Sequence, residues 1–68
     1  MIKTIISNGT IYGINPTKVV FVEEEDGCIV IHFDNPEVKN VIICNNLTDD
    51  CQKIIDFLNN PNEMVYVM

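Results

Sequence analysis

The chain has 68 residues, of which 47% are hydrophobic, and ten acids against four lysines set its net charge at −6. That length allows one domain, residues 1–68, and a chain so short often leans on a crosslink, a metal or a second copy for stability. The composition excludes a disordered segment. Four scattered lysines, Lys3, Lys18, Lys39 and Lys53, make neither the basic face that nucleic acid requires nor a polybasic membrane patch. No apolar run is long enough for a transmembrane helix.

The N-terminal residues show no signal-peptide pattern, so the expected location is the cytoplasm, or a host cytoplasm if the gene is phage-borne. The wealth of Ile and Asn without Arg fits an AT-rich genome. Cys28, Cys44 and Cys51 are odd in number and lack paired spacing, so in that compartment they read as reduced, mostly buried thiols.

In chain order, "IKTII" and "TIYGI" flank Ser7-Asn8-Gly9. Asn-Gly between β-branched runs predicts a hairpin, because both turn positions favour positive φ. Pro16 lacks an N–H and biases Asn15 toward extended backbone. A strand follows over about 18–23, then a turn at Glu24-Glu25-Asp26-Gly27, then a strand over about 28–33. "DNPEVKN" reads as a loop and "VIIC", 41–44, as the fifth strand. The period then changes: Leu47, Cys51, Ile54, Ile55 and Leu58 share one face of an amphipathic helix. Thr48 is its expected N-cap, and Asn59-Asn60-Pro61 ends it. "EMVYVM" reads as a short final strand. The two N-x-T triplets, at Asn8 and Asn46, are explained by the hairpin tip and the helix cap.

The expected fold is α+β: a small antiparallel sheet of about five strands, in the order β-β-β-β-β-α-β, packed on one helix. Alternation places Val19, Phe21, Ile29, Ile31, Phe33, Val41 and Ile43 on one face. Val20, Val22, Val30, His32, Ile42, Cys44 and Cys28 fall on the other. One helix covers one face, and the bulkier Phe21/Ile31/Phe33 side suits it. The second face is too apolar for a solvated sheet. Either the N-terminal hairpin folds across it as a second layer, or it packs on another copy or another protein. The terminal "MVYVM" strand, with Val65, Tyr66 and Val67, is a further segment open to a neighbour's sheet edge.

No motif carries chemistry. Cys28 and His32 lie about 13 Å apart along one strand, too far to share a metal ion. His32 and Cys44 could meet only in one particular register, and a buried histidine beside a small apolar cysteine explains them better. Glu23, Glu24, Glu25 and Asp26 are neighbours on a hairpin tip and do not face a substrate across a pocket. They read as a solvated tip or as a charged contact for a basic partner. Asp49 and Asp50 would repel an anion from the helix start. No phosphate loop or nucleophile elbow is present. The reading is therefore of no enzyme, no catalytic residue, no metal and no cofactor.

"INPTKVVFVE", "IVIHF", "VIIC" and the acidic helix start, together spanning Gly13 to Leu58, resemble the small flagellar proteins of the FlbD/SwrD type. Asn15, Pro16, Val19, Val22 and Glu23 occupy that family's extended Asn-Pro segment and following strand. The chain departs from it in having Asp34–Asn40 where the family has a tight turn, and in adding a strand after the helix. The resemblance implies a β-rich fold and a motility accessory role, with no catalytic residue to carry over.

The expected function is a non-enzymatic acidic interaction module that forms homo-oligomers and binds a further, unidentified protein. A phage or bacterial inhibitor or assembly role is the expected setting. The expected interface comprises Val20, Val22, Val30, His32, Ile42, Cys44, Val65, Tyr66 and Val67, with Glu23, Glu24, Glu25 and Asp26 as charged contacts. A flagellar accessory is the alternative. An oligomeric nucleotide sponge ranks third, its phosphate contacts limited to the four lysines.

Overall fold

The computed structural model describes residues 1–44 and 50–68. The elements run β1 (Lys3–Ser7), β2 (Thr10–Ile14), a 3-10 turn (Pro16–Lys18), β3 (Val19–Glu25), β4 (Cys28–Phe33), β5 (Val41–Cys44), α1 (Asp50–Asn59) and β6 (Val65–Val67). The chain is α+β in the expected order, but the strands do not form one sheet. They make two three-stranded sheets, β2-β1-β6 and β3-β4-β5. The hairpin sheet is mixed, because β6 lies parallel to β1 with Tyr66 opposite Ile5. The final strand is taken up beside β1 within its own chain, as an edge of the hairpin sheet.

The β1–β2 and β3–β4 hairpins each turn on two residues. Asn8-Gly9 has φ of 50° and 79°, and Asp26-Gly27 has 51° and 78°. Two consecutive positive φ values define the turn whose twist matches the flanking strands. The turn predicted at 24–27 is therefore tighter than expected, and β3 continues through Glu24 and Glu25. Asn15 begins the 3-10 turn: its Oδ1 accepts from Thr17 N at 3.2 Å and from Thr17 Oγ1 at 2.8 Å. Pro16 fits the first position of that turn, where no N–H is needed.

The inner faces of both sheets and the apolar side of α1 meet in one core of Ile5, Ile14, Ile29, Ile31, Ile43, Ile54, Phe57 and Leu58. The helix stripe read from sequence holds for Ile54 and Leu58, with Cys51 and Ile55 half-buried beside them. Phe57 is the bulkiest helix residue in this core. Leu47 and Thr48, the expected stripe start and cap, lie outside the described residues.

One irregularity redraws the second sheet. Val19 pairs with Phe33, but Phe21 pairs with His32, so β3 carries a bulge at this point. An extra residue reverses the alternation before and after it. Phe21, expected in the core, points outward. Val22, expected outward, pairs with Ile31 and packs against the core.

Cys28 and Cys44 face each other across β4 and β5 and are joined by a disulfide, with Cα atoms 4.0 Å apart. This corrects the reading of three reduced thiols. Cys51 is free, and burial followed by the charge of Glu24 raises its thiol pKa.

Candidate interaction surfaces

The core uses one face of each sheet, and the opposite faces remain apolar. On the hairpin sheet, strand pairing aligns Ile11, Ile6 and Val67 in one row and Gly13, Thr4 and Val65 in the next. Ile11 and Val67 are each 70% exposed, and Val65 is also exposed. None of these six residues is ionisable. The reason is local: Lys3, the one charged residue of β1, sits in the inward register with Ile5 and Ser7 and is buried.

The second sheet's outer face is different in kind. Phe21 is 49% exposed and Ile42 59% exposed, with Val20 bulging at the edge. The Phe21 ring stacks on His32 with centroids 4.0 Å apart and planes 14° apart. His32 Nε2 lies 2.7 Å from Glu23 Oε1. Glu25 opposes Cys28, so an acidic rim borders the disulfide. Val30 lies on this face between Glu23 and Ile42, yet these neighbours leave it buried.

The expected interface residues therefore divide. Val20, Ile42, Cys44, Val65 and Val67 are exposed. His32 is half-buried and Val30 buried, while Val22 and Tyr66 turn inward and pack against the core. The acidic run splits as well. Glu23 and Glu25 lie on the outer face, Glu24 pairs with Ile29 on the inner side, and Asp26 sits in the turn. Sequence reasoning missed the Ile6/Ile11 half of the hairpin face, although strict alternation in both runs carried the signal. It also placed Phe21 on the wrong side, since nothing in "KVVFVE" marks the bulge.

His32 and Cys44 do not form a couple, since each is engaged elsewhere. No group of three His, Cys, Asp or Glu side chains positioned for a metal ion occurs among the described residues. No described helix is long and apolar enough to cross a membrane.

Tyr66 links the hairpin sheet to the helix. Its ring packs on Phe57 at 5.6 Å, and its hydroxyl donates to Asp50 Oδ1 at 3.5 Å. Burial, then the Asp50 charge and hydrogen bond, then Glu63, raise its pKa above the usual phenol value. A raised folded-state pKa means that the folded chain holds the proton longer than the unfolded chain. The associated stability is complete below about pH 10 and is lost as pH rises through the folded value. In a Tyr12→Phe background, absorbance at 295 nm should report a Tyr66 midpoint above 10. Asp50→Asn should lower it, and no change on that substitution would contradict the proposed cause.

No family model, no curated protein and no solved structure matches this chain.

Proposed function

We propose that this chain is a non-catalytic interaction module that pairs with a second copy of itself and presents a separate face to another protein. One observation carries this reading: two sheets share a single core, and each leaves large apolar side chains on its far side. Apolar patches of this kind mark association surfaces.

The two faces suit different partners. A chain of net charge −6 repels its own copies except where they meet without charge. The Ile11-Ile6-Val67 row offers such a face, and a two-fold pairing would set it against itself. The Phe21/Ile42 face, bordered by Glu23, Glu25 and Asp26, suits a partner with an aromatic-lined or apolar centre and basic rim. An accessory or inhibitory role in a bacterium or phage is the setting proposed. The Cys28–Cys44 disulfide weighs against the cytoplasm as its location, since such bonds persist in oxidising compartments.

Light scattering over a dilution series tests the self-association. The native chain should show a mass of two or more copies at high concentration. The double variant Ile11→Asp/Val67→Asp should be a folded monomer, because both side chains are exposed and their loss leaves the core intact. Phe21→Asp should leave the mass unchanged. A native chain that is monomeric at every concentration would overturn the proposal.

A further inference from the structure

A cleft of about 450 Å³ opens between the end of β2, the 3-10 turn and the loop at 34–40. Phe33, Val38 and Val41 supply apolar wall, and Lys18 and Lys39, both exposed, line the same opening. This is where positive charge gathers in an acidic chain. Of the four lysines, Lys3 is buried against the helix end and Lys53 lies on α1. The one ion pair among the described residues is His32–Glu23, so no described carboxylate holds either cleft lysine.

Two asparagines in the lining add donors. Asn15 Oδ1 is occupied by Thr17, and Asn35 Oδ1 accepts from Glu37 N at 3.0 Å. In each case the carbonyl end shapes the local turn, and the Nδ2 amide has no hydrogen-bond partner among the described residues. Asp34 also lines the cleft and offsets one of the two positive charges. Its backbone N–H donates to Lys18 O at 2.9 Å, tying the loop to the turn. The volume lies in the range of small-molecule sites, which combine apolar walls with a few polar groups that fix orientation.

From this arrangement we infer that the cleft binds a small molecule with one flat ring system and a single anionic group. The ring lies along Phe33 and Val41, and the anion meets Lys18, Lys39 and the asparagine amides. Asp34 disfavours ligands of higher negative charge. The inference is independent of self-association, since the cleft is formed within one chain.

The test is a titration of 15N-labelled protein with 2-naphthoate, followed by amide chemical shifts, with the neutral 2-naphthalenemethanol as control. Shifts should cluster at Gly13, Lys18, Asp34, Val38, Lys39 and Val41. The double variant Lys18→Gln/Lys39→Gln should bind 2-naphthoate about fivefold more weakly, the loss of a modest exposed charge contact, and the neutral alcohol equally well. Both lysines are at the surface, so the variant's own spectrum checks that it remains folded. Shifts at Ile11 and Val67 instead, no shifts at millimolar probe, or an unchanged affinity in the double variant would each overturn the inference.

Discussion

Lys3→Ala is expected to lower stability by about 3 kcal/mol or more, a large part of what a domain of this size possesses. Lys3 is 1% exposed. Its ammonium donates to the carbonyls of Phe57 and Asn60 and lies 4.9 Å from the Phe57 ring centroid. These carbonyls belong to the last turn of α1 and the residue just after it, where the helix dipole is negative and no further helical turn follows to use the acceptors' second lone pairs. A buried cation without a carboxylate is costly unless such groups surround it. Here one side chain from β1 satisfies the end of a helix more than fifty residues away and anchors the hairpin sheet to it. Alanine would remove the stem's packing and take a charge-assisted bond from both carbonyls, leaving each with one backbone donor, Asn60 N for Phe57 O and Glu63 N for Asn60 O. Lys3→Met retains most of the packing and should recover roughly half of the loss. Urea unfolding of the three proteins checks this. A Lys3→Ala midpoint equal to the native one would mean the ammonium faces water in solution.

The same residue shows what a sequence conceals. Composition treated Lys3 as one of four surface cations. Strand alternation, however, puts it in register with Ile5 and Ser7, and that register was open to inspection. Its partners were not, because backbone carbonyls at a helix end leave no mark in the pattern. Elsewhere the local chemistry was legible. Asn8-Gly9 and Asp26-Gly27 are turn pairs with one physical requirement, positive φ at both positions, and the helix end at Asn59 followed from the Asn-Asn-Pro run. Assignment of faces worked where strands are regular. It failed across β3, where the bulge between Val19 and Phe21 exchanged Phe21 for Val22. The division into two sheets was not decided by pattern either. The hairpin lying over the second face and a partner lying over it require the same apolar residues. The structure corrects the first of these: the hairpin joins the helix on the Ile29/Ile31/Ile43 face, and the second face, with Val20 and Ile42, stays exposed.

Reduction of the Cys28–Cys44 bond should cost about 3 kcal/mol, the value expected when a crosslink closes a loop of roughly fifteen residues in the unfolded chain. The bond closes the open end of the β4–β5 hairpin, opposite the loop at 34–40, at a directly paired position. β5 has four residues and is an edge strand. Short edge strands contribute few ladder bonds and open readily. Without the crosslink, β5 is held mainly by Ile43 in the core and by its pairing with β4. Loss of the bond should therefore be felt first as faster hydrogen exchange at Val41–Cys44, and then as a lower unfolding midpoint. A thiol count gives the reference state: one reactive group per unfolded chain, Cys51, before reduction and three after it. Cys28→Ser/Cys44→Ser should match the reduced native chain in midpoint. A purified oxidised chain with three titrating thiols would show that the bond does not form. Equal midpoints with and without reductant, despite a single thiol, would show that β5 is secured by packing alone. The expected ordering instead makes the outer Phe21/Ile42 face dependent on redox state, because Ile42 is held in place by the strand that the crosslink secures.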